Sequence, residues 1–137
     1  MQASLLDTNI ISLFFRGNPN VVGEFNNYLN HHNHITFSII TYYEIVSGLK
    51  HRDAHKQIDL FLEFAKQNQI IPLSQEIADI AGDLYADLRK RGQPIDDIDL
   101  LIAATGTVNK MDLVTHNRNL LHKGTEKKPT MGRVGGE

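Results

Sequence analysis

Acidic residues in this chain recur just after short apolar stretches. Asp7 follows Ala3-Ser4-Leu5-Leu6 and precedes Thr8-Asn9. Glu44 follows Phe37-Ser38-Ile39-Ile40 by a few residues, and Asp97 and Asp99 stand directly ahead of Leu100-Leu101-Ile102-Ala103-Ala104. Thr115-His116-Asn117 follows Asp112-Leu113-Val114. Carboxylates gathered in one place repel one another and resist ionisation unless a cation offsets them. Magnesium and manganese prefer oxygen ligands and keep several of their waters. A site of that kind suits phosphodiester cleavage, because a bound cation polarises a phosphoryl oxygen and acidifies a water.

Each acid also has a plainer role open to it. Asp7 can cap a helix at a strand-to-helix junction. Glu44 can close a capping box that begins at Thr41. Asp97 and Asp99 can do no more than favour the positive end of a helix. Capping alone, however, does not require all of these acids to occur at one end of a sheet.

The elements that must position them alternate in type. Ala3–Leu6, His34–Phe37, Gln69–Leu73 and Asp112–Thr115 read as short strands. Between them lie helical patterns near Ile10–Phe15, Val21–Leu29, Ile39–Leu49 and Ile58–Phe64. A longer one follows Ser74, a candidate N-cap, and carries Ile77, Ile80, Ala81, Leu84, Tyr85 and Leu88 as its apolar stripe; Gly92 and Pro94 end it. A last helix starts near Asp97. Strands separated by helices imply an α/β fold, three layers deep, with a central parallel sheet of four to five strands. In such a sheet ligands bind beyond the carboxyl ends of the strands, and Asp7 stands at one of those ends.

A chain of 137 residues fits one domain and buries a core without staples. With no cysteine, disulfides and thiolate metal sites are excluded, which agrees with a cytoplasmic location. The N-terminus lacks the basic flank and apolar run of a secretory signal, and no apolar run is long enough to span a membrane. The net charge of −2 argues against a binder that relies on salt-sensitive phosphate contacts alone. It argues less against a nuclease, whose acidic cluster would be balanced by bound cations. Residues 122–137 are rich in Gly, Lys and Thr and poor in large apolar side chains, so the expected division is a nuclease domain over residues 1–121 and a loose polar tail.

Four segments carry a family resemblance. Leu5-Leu6-Asp7-Thr8-Asn9-Ile10-Ile11-Ser12 resembles the opening motif of PIN-domain ribonucleases, in particular the VapC-type toxins of toxin–antitoxin pairs. Ser38–Gly48, with Glu44 inside it, resembles their second motif. Ile95–Ala104 resembles the third, and Leu113–Asn117 the fourth. The match runs in order from about Leu5 to Leu120. The resemblance implies that Asp7, Glu44 and Asp99 hold magnesium or manganese, that Asp97 is a supporting acid, and that Asn117 assists as an amide. It also implies that the hydroxyls of Thr8 and Thr115 hydrogen-bond within the site. The implied reaction is endonucleolytic hydrolysis of RNA by a homodimeric toxin that a cognate antitoxin silences. One departure stands out: Leu120-Leu121 runs into the polar tail where relatives continue into a final strand. Two alternatives therefore stay open, a metal nuclease directed at DNA and a catalytically weak or inactive PIN-like binding module.

Other signals carry less. His51 and His55 are spaced four apart and His31-His32-Asn33-His34 is dense in histidine, but no third ligand accompanies either group, so solvated histidines are expected. Lys50-His51-Arg52 with Lys56, and Arg89-Lys90-Arg91, form two basic groups. Each suits a helix C-terminus, the first group more than the second, and each can instead meet RNA phosphates or an acidic partner.

Overall fold

The computed structural model describes residues 3–115. Four three-residue strands, β1 (Ser4–Leu6), β2 (Thr36–Ser38), β3 (Gln69–Ile71) and β4 (Asp112–Val114), form one sheet. Six helices connect them: α1 (Thr8–Phe15), α2 (Pro19–Leu29), α3 (Ile39–His51), α4 (His55–Lys66), α5 (Gln75–Lys90) and α6 (Asp97–Val108). Every pairing is parallel and the strand order is β3-β2-β1-β4. Asn117 and the tail assigned to 122–137 lie outside the described residues.

The period of two along the strands divides the interior into two faces. Leu5 pairs with Leu113 and Leu6 with Val114, so each neighbouring pair shares a side of the sheet. On one side Leu6, Val114, Ile35 and Phe37 meet Ile10 and Ile11 of α1, Phe25 and Tyr28 of α2, and Phe61 of α4. On the other, Leu5 and Leu113 meet Ile102 and Ala103 of α6. Helix α5 packs outside α6 through Ile77, Ala81 and Ala104. The result is a three-layer α/β/α arrangement. Burying each of these large side chains contributes about 1.5–3 kcal/mol. The phenol oxygen of Tyr28 also accepts the Ser4 N–H at 3.0 Å, tying α2 to the start of β1.

Short polar side chains set the helix starts. Asn18 caps α2 ahead of Pro19, and Ser74 caps α5 by accepting from Ile77 N–H. Gly17 (φ +77°) and Gly92 (φ +70°) end α1 and α5 in the left-handed region that glycine enters freely. Tyr85 of the apolar stripe on α5 and Leu60 on α4 are both exposed. Tyr85 is 42% accessible, with the Arg89 guanidinium 4.7 Å above its ring, and Leu60 is 55% accessible. Among the described residues no helix is long and apolar enough to cross a membrane.

Candidate active site

With the order β3-β2-β1-β4, the chain steps from β1 toward β2 and β3, then returns to place β4 on the far side of β1. The carboxyl ends of β1 and β4 therefore flank the switch in direction, where an open α/β sheet leaves a crevice. Asp7 is the first residue past β1 and Thr115 the first past β4. The Asp7 N–H donates to Val114 carbonyl oxygen at 3.1 Å, so the ladder continues one step beyond the strands. Asp7 is only 6% exposed and Thr115 is fully buried.

The Asp7 carboxylate uses both oxygens. Oδ1 accepts the Ile10 N–H at 3.0 Å, capping α1, and Oδ2 accepts the Thr115 hydroxyl. The capping role expected as an alternative is thus real, and it fixes the group without hiding it from the crevice. Burial pushes the Asp7 carboxyl up to about 6. The Thr115 and Ile10 hydrogen bonds oppose that rise, and the charges of Asp99 and Glu44 add to it.

Glu44 comes from the helix that starts directly at the end of β2. Ser38 is both the last residue of that strand and the N-cap of α3, accepting Thr41 N–H at 3.0 Å. The capping box proposed for Thr41 and Glu44 does not form, because the N-cap of the helix is Ser38, three residues before Thr41. Glu44 instead lies about 9 Å along the axis from the cap, and its Oε1 accepts the Thr8 hydroxyl. Thr8 Oγ1 is also 3.2 Å from the buried Thr41 hydroxyl, which can donate to it in turn.

Helix α6 supplies the remaining acids. Asp96 is its N-cap, accepting Ile98 N–H at 3.1 Å through Oδ2. Asp99, half-buried in the first turn, has its carboxyl pushed up by burial and then by the charges of Asp96 and Glu44. Asp7, Glu44, Asp96 and Asp99, with Thr8, Asn9 and Ile102, line one cavity of about 260 Å³. None of the four carboxylates is ion-paired with a basic side chain among the described residues.

A family model described as the PIN domain matches residues 4–126, most of the chain. The chain belongs to the PIN-domain family. Two relatives are both called Ribonuclease VapC1. The one from Haemophilus influenzae is 30% identical over 117 residues, 82% of this chain and 85% of its own length. The one from Methanocaldococcus jannaschii is 36% identical over 81 residues, 59% of this chain and 57% of its own length. Two solved structures share the fold at 24% identity. VapBC2 from Rickettsia felis, bound to a promoter DNA fragment, superposes with a TM-score of 0.77 over 93% of this chain and 96% of that one. A toxin–antitoxin complex from Klebsiella pneumoniae does so with a TM-score of 0.66 over 84% and 87%.

In this PIN domain the site residues expected from sequence divide unevenly. Asp7, Glu44, Asp99 and Thr8 line the cavity, and Thr115 supports Asp7 from beneath. Asp97 does not line it; Asp96, also exposed, does. The reason is angular. Residues advance about 100° per position around a helix, so Asp96 and Asp99, three apart, share a face, whereas Asp97 points away from Asp99. Applied to Ile95–Asp99, that spacing rule identifies Asp96 from sequence. Asn9, next to the Asp7-Thr8 pair, is the other polar lining residue not singled out in the sequence.

As they stand, no three acidic or histidine side chains among the described residues converge closely enough to ligate one ion. The donor set nonetheless fits a hard divalent cation. All its ligating atoms are carboxylate or amide oxygens, the preference of magnesium and manganese. The carboxyls of Asp7 and Asp99 are raised by burial first and by neighbouring carboxylates second, and a cation would offset both effects.

Proposed function

We propose that this PIN domain is a magnesium- or manganese-dependent endoribonuclease, a homodimeric toxin that a cognate antitoxin holds in check. Support for ribonuclease activity comes from the relatives named Ribonuclease VapC1. Support for the antitoxin comes from the fold shared with a toxin–antitoxin complex. The observation that carries the reading is Asp7, a buried carboxylate at the switch of the sheet, pushed up to about 6 and facing the charges of Asp99 and Glu44. An acid in that setting is costly to keep unless its charge is used.

Asp7, Glu44 and Asp99 would hold the cation, with Asp96 adding charge at the rim and Asn117 assisting as an amide. When bound, the cation supplies Lewis acidity toward a phosphoryl oxygen and lowers the pKa of a coordinated water. The chain's own contribution is preorganisation. Thr115 and the Ile10 amide keep the Asp7 carboxylate in one rotamer, and Thr8 keeps Glu44 turned toward the cavity. Ile102 closes the cavity on the sheet side with an apolar wall, which strengthens the electrostatics inside it.

The test is cleavage of matched RNA and DNA oligonucleotides by the purified chain with magnesium or manganese, and again with chelator. RNA cleavage that chelator abolishes, and that Asp7→Asn and Asp99→Asn each reduce by about 100-fold or more, is the expected result. Preferential cleavage of DNA would make this a DNA-directed nuclease. Cleavage of neither would make it a binding module.

A further inference from the structure

A second cavity, of about 230 Å³, opens beside the acidic one and shares Thr8 and Glu44 with it. It runs between α1 and the corner where α3 turns into α4. Its sides and floor differ in chemistry from the acidic cavity. Arg16 stands at the end of α1 and Arg52 at the end of α3, and both are exposed. Neither guanidinium is ion-paired with an acid among the described residues. Arg52 reaches back over Gly48, its Nη1 in ordinary contact distance, 3.8 Å, of where a Cβ would lie. Between the two cations the floor is apolar, with Phe15 41% exposed.

We propose that this groove holds the RNA strand that leads into the acidic cavity, with Arg16 and Arg52 each meeting a backbone phosphate and Phe15 offering its ring to a base. The proposal rests on the nuclease reading and extends it to how the substrate is held. Its basis is charge complementarity in sequence along one path. Two arginines precede a cluster of carboxylates, none of them ion-paired with each other or with another side chain among the described residues, so a polyanion is drawn to the groove and kept out of the acidic cavity except where a cation neutralises it. Grooves that bind single strands combine basic side chains along the backbone with an aromatic platform for bases, as here. The overall negative charge of the chain is offset locally here by the two arginines that line the groove. The basic group Lys50-His51-Arg52-Lys56 thereby divides, with Arg52 the member that lines the groove.

The test is binding of a fluorescent, unstructured RNA oligonucleotide to the full chain in chelator, where cleavage is off, over a range of salt. Arg16→Gln/Arg52→Gln is expected to raise Kd about tenfold and to reduce the salt slope by about 1.4, two single-strand phosphate contacts. Arg16→Lys/Arg52→Lys is expected to restore the slope, because lysine supplies the same point charge. Arg89→Gln/Lys90→Gln, the same loss of charge on α5, is expected to leave both unchanged. In cleavage assays the first pair should raise KM far more than it lowers kcat. If the Arg16/Arg52 double glutamine variant binds RNA as tightly and with the same salt slope as the parent, the groove does not carry RNA and the proposal is overturned, while the nuclease reading stands. If that variant loses only its inhibition by a co-expressed protein partner, the groove is a protein dock and the proposal is equally overturned. If the parent chain neither binds nor cuts RNA under any condition, the nuclease reading fails and takes this proposal with it.

Discussion

The hydroxyl of Thr115, at the end of β4, donates to Asp7 Oδ2 at the end of β1, joining residues 108 apart in the chain. The bond spans the point where the sheet reverses its order, and both partners are buried. It therefore acts on structure and electrostatics together: it locks the rotamer of the central carboxylate and lowers a pKa that burial raises.

Replacing Thr115 by Val keeps the shape and removes the donor. With that stabilisation of the charged form gone, the Asp7 carboxyl should rise further above its present value of about 6. Metal binding and cleavage both require the ionised form, so the acid limb of the pH–rate profile should move to higher pH. The variant should lose more activity near pH 6 than near pH 8.5. A loss that is uniform with pH would mean that Thr115 acts only through packing.

Asp7→Asn should abolish cleavage and yet stabilise the metal-free chain. Asn retains an oxygen for the Ile10 N–H, so the cap of α1 survives. The sign follows from linkage. The Asp7 carboxyl is 3.8 ordinarily and about 6 when folded, so between those values the unfolded state releases its proton while the folded state keeps it. Stability is therefore full below about 3.8, falls as pH rises, and is lower by about 3 kcal/mol above 6. Removing the charge should recover much of that loss at neutral pH and little of it at pH 4. Thermal melts of both proteins in chelator at the two pH values check this. An equal Tm for the two proteins at neutral pH would contradict it.

Asp96→Asn and Asp97→Asn are neighbouring, identical changes with opposite expectations. Asp96 lines the cavity and raises the carboxyl of Asp99, whereas Asp97 does neither. Asn preserves the cap of α6 in the first case, which separates charge from folding. Manganese affinity should fall about 10-fold or more in Asp96→Asn and stay within about twofold in Asp97→Asn. Calorimetric titration distinguishes them, and a larger loss in Asp97→Asn would return the supporting role to that residue.

Most of the architecture is visible in the sequence because it depends on local signals. Apolar runs bounded by Ser74, Gly17 and Gly92 mark elements whose ends fall within a few residues of those observed. Asp7 and Thr115 stand at strand ends, and a parallel sheet brings strand ends together whatever their separation in the chain. What the sequence conceals is rotation and exposure. The choice between Asp96 and Asp97 depends on a single step around α6. Leu60 and Tyr85 look apolar enough for the interior, but the helices bearing them turn those positions to solvent. The capping of α3 by Ser38, rather than by Thr41, is set by the strand running straight into the helix, a tertiary fact that the Thr41-x-x-Glu44 pattern does not contain.

Thr8 is the hinge between the two cavities, and its role separates orientation from charge. Its hydroxyl donates to Glu44. Thr8→Val keeps the branched shape but frees Glu44 to turn toward solvent, which adds a conformational cost to every binding event. Manganese affinity should fall about 10–100-fold, the usual cost of removing a side chain that orients a ligand. Thr8→Ser retains the hydroxyl and should recover most of the affinity. Both variants should melt near the parent temperature, because Thr8 sits in the first turn of α1 and is only half-buried. Full affinity in Thr8→Val would show that Glu44 is held by something other than this hydroxyl, or that it does not hold the cation at all.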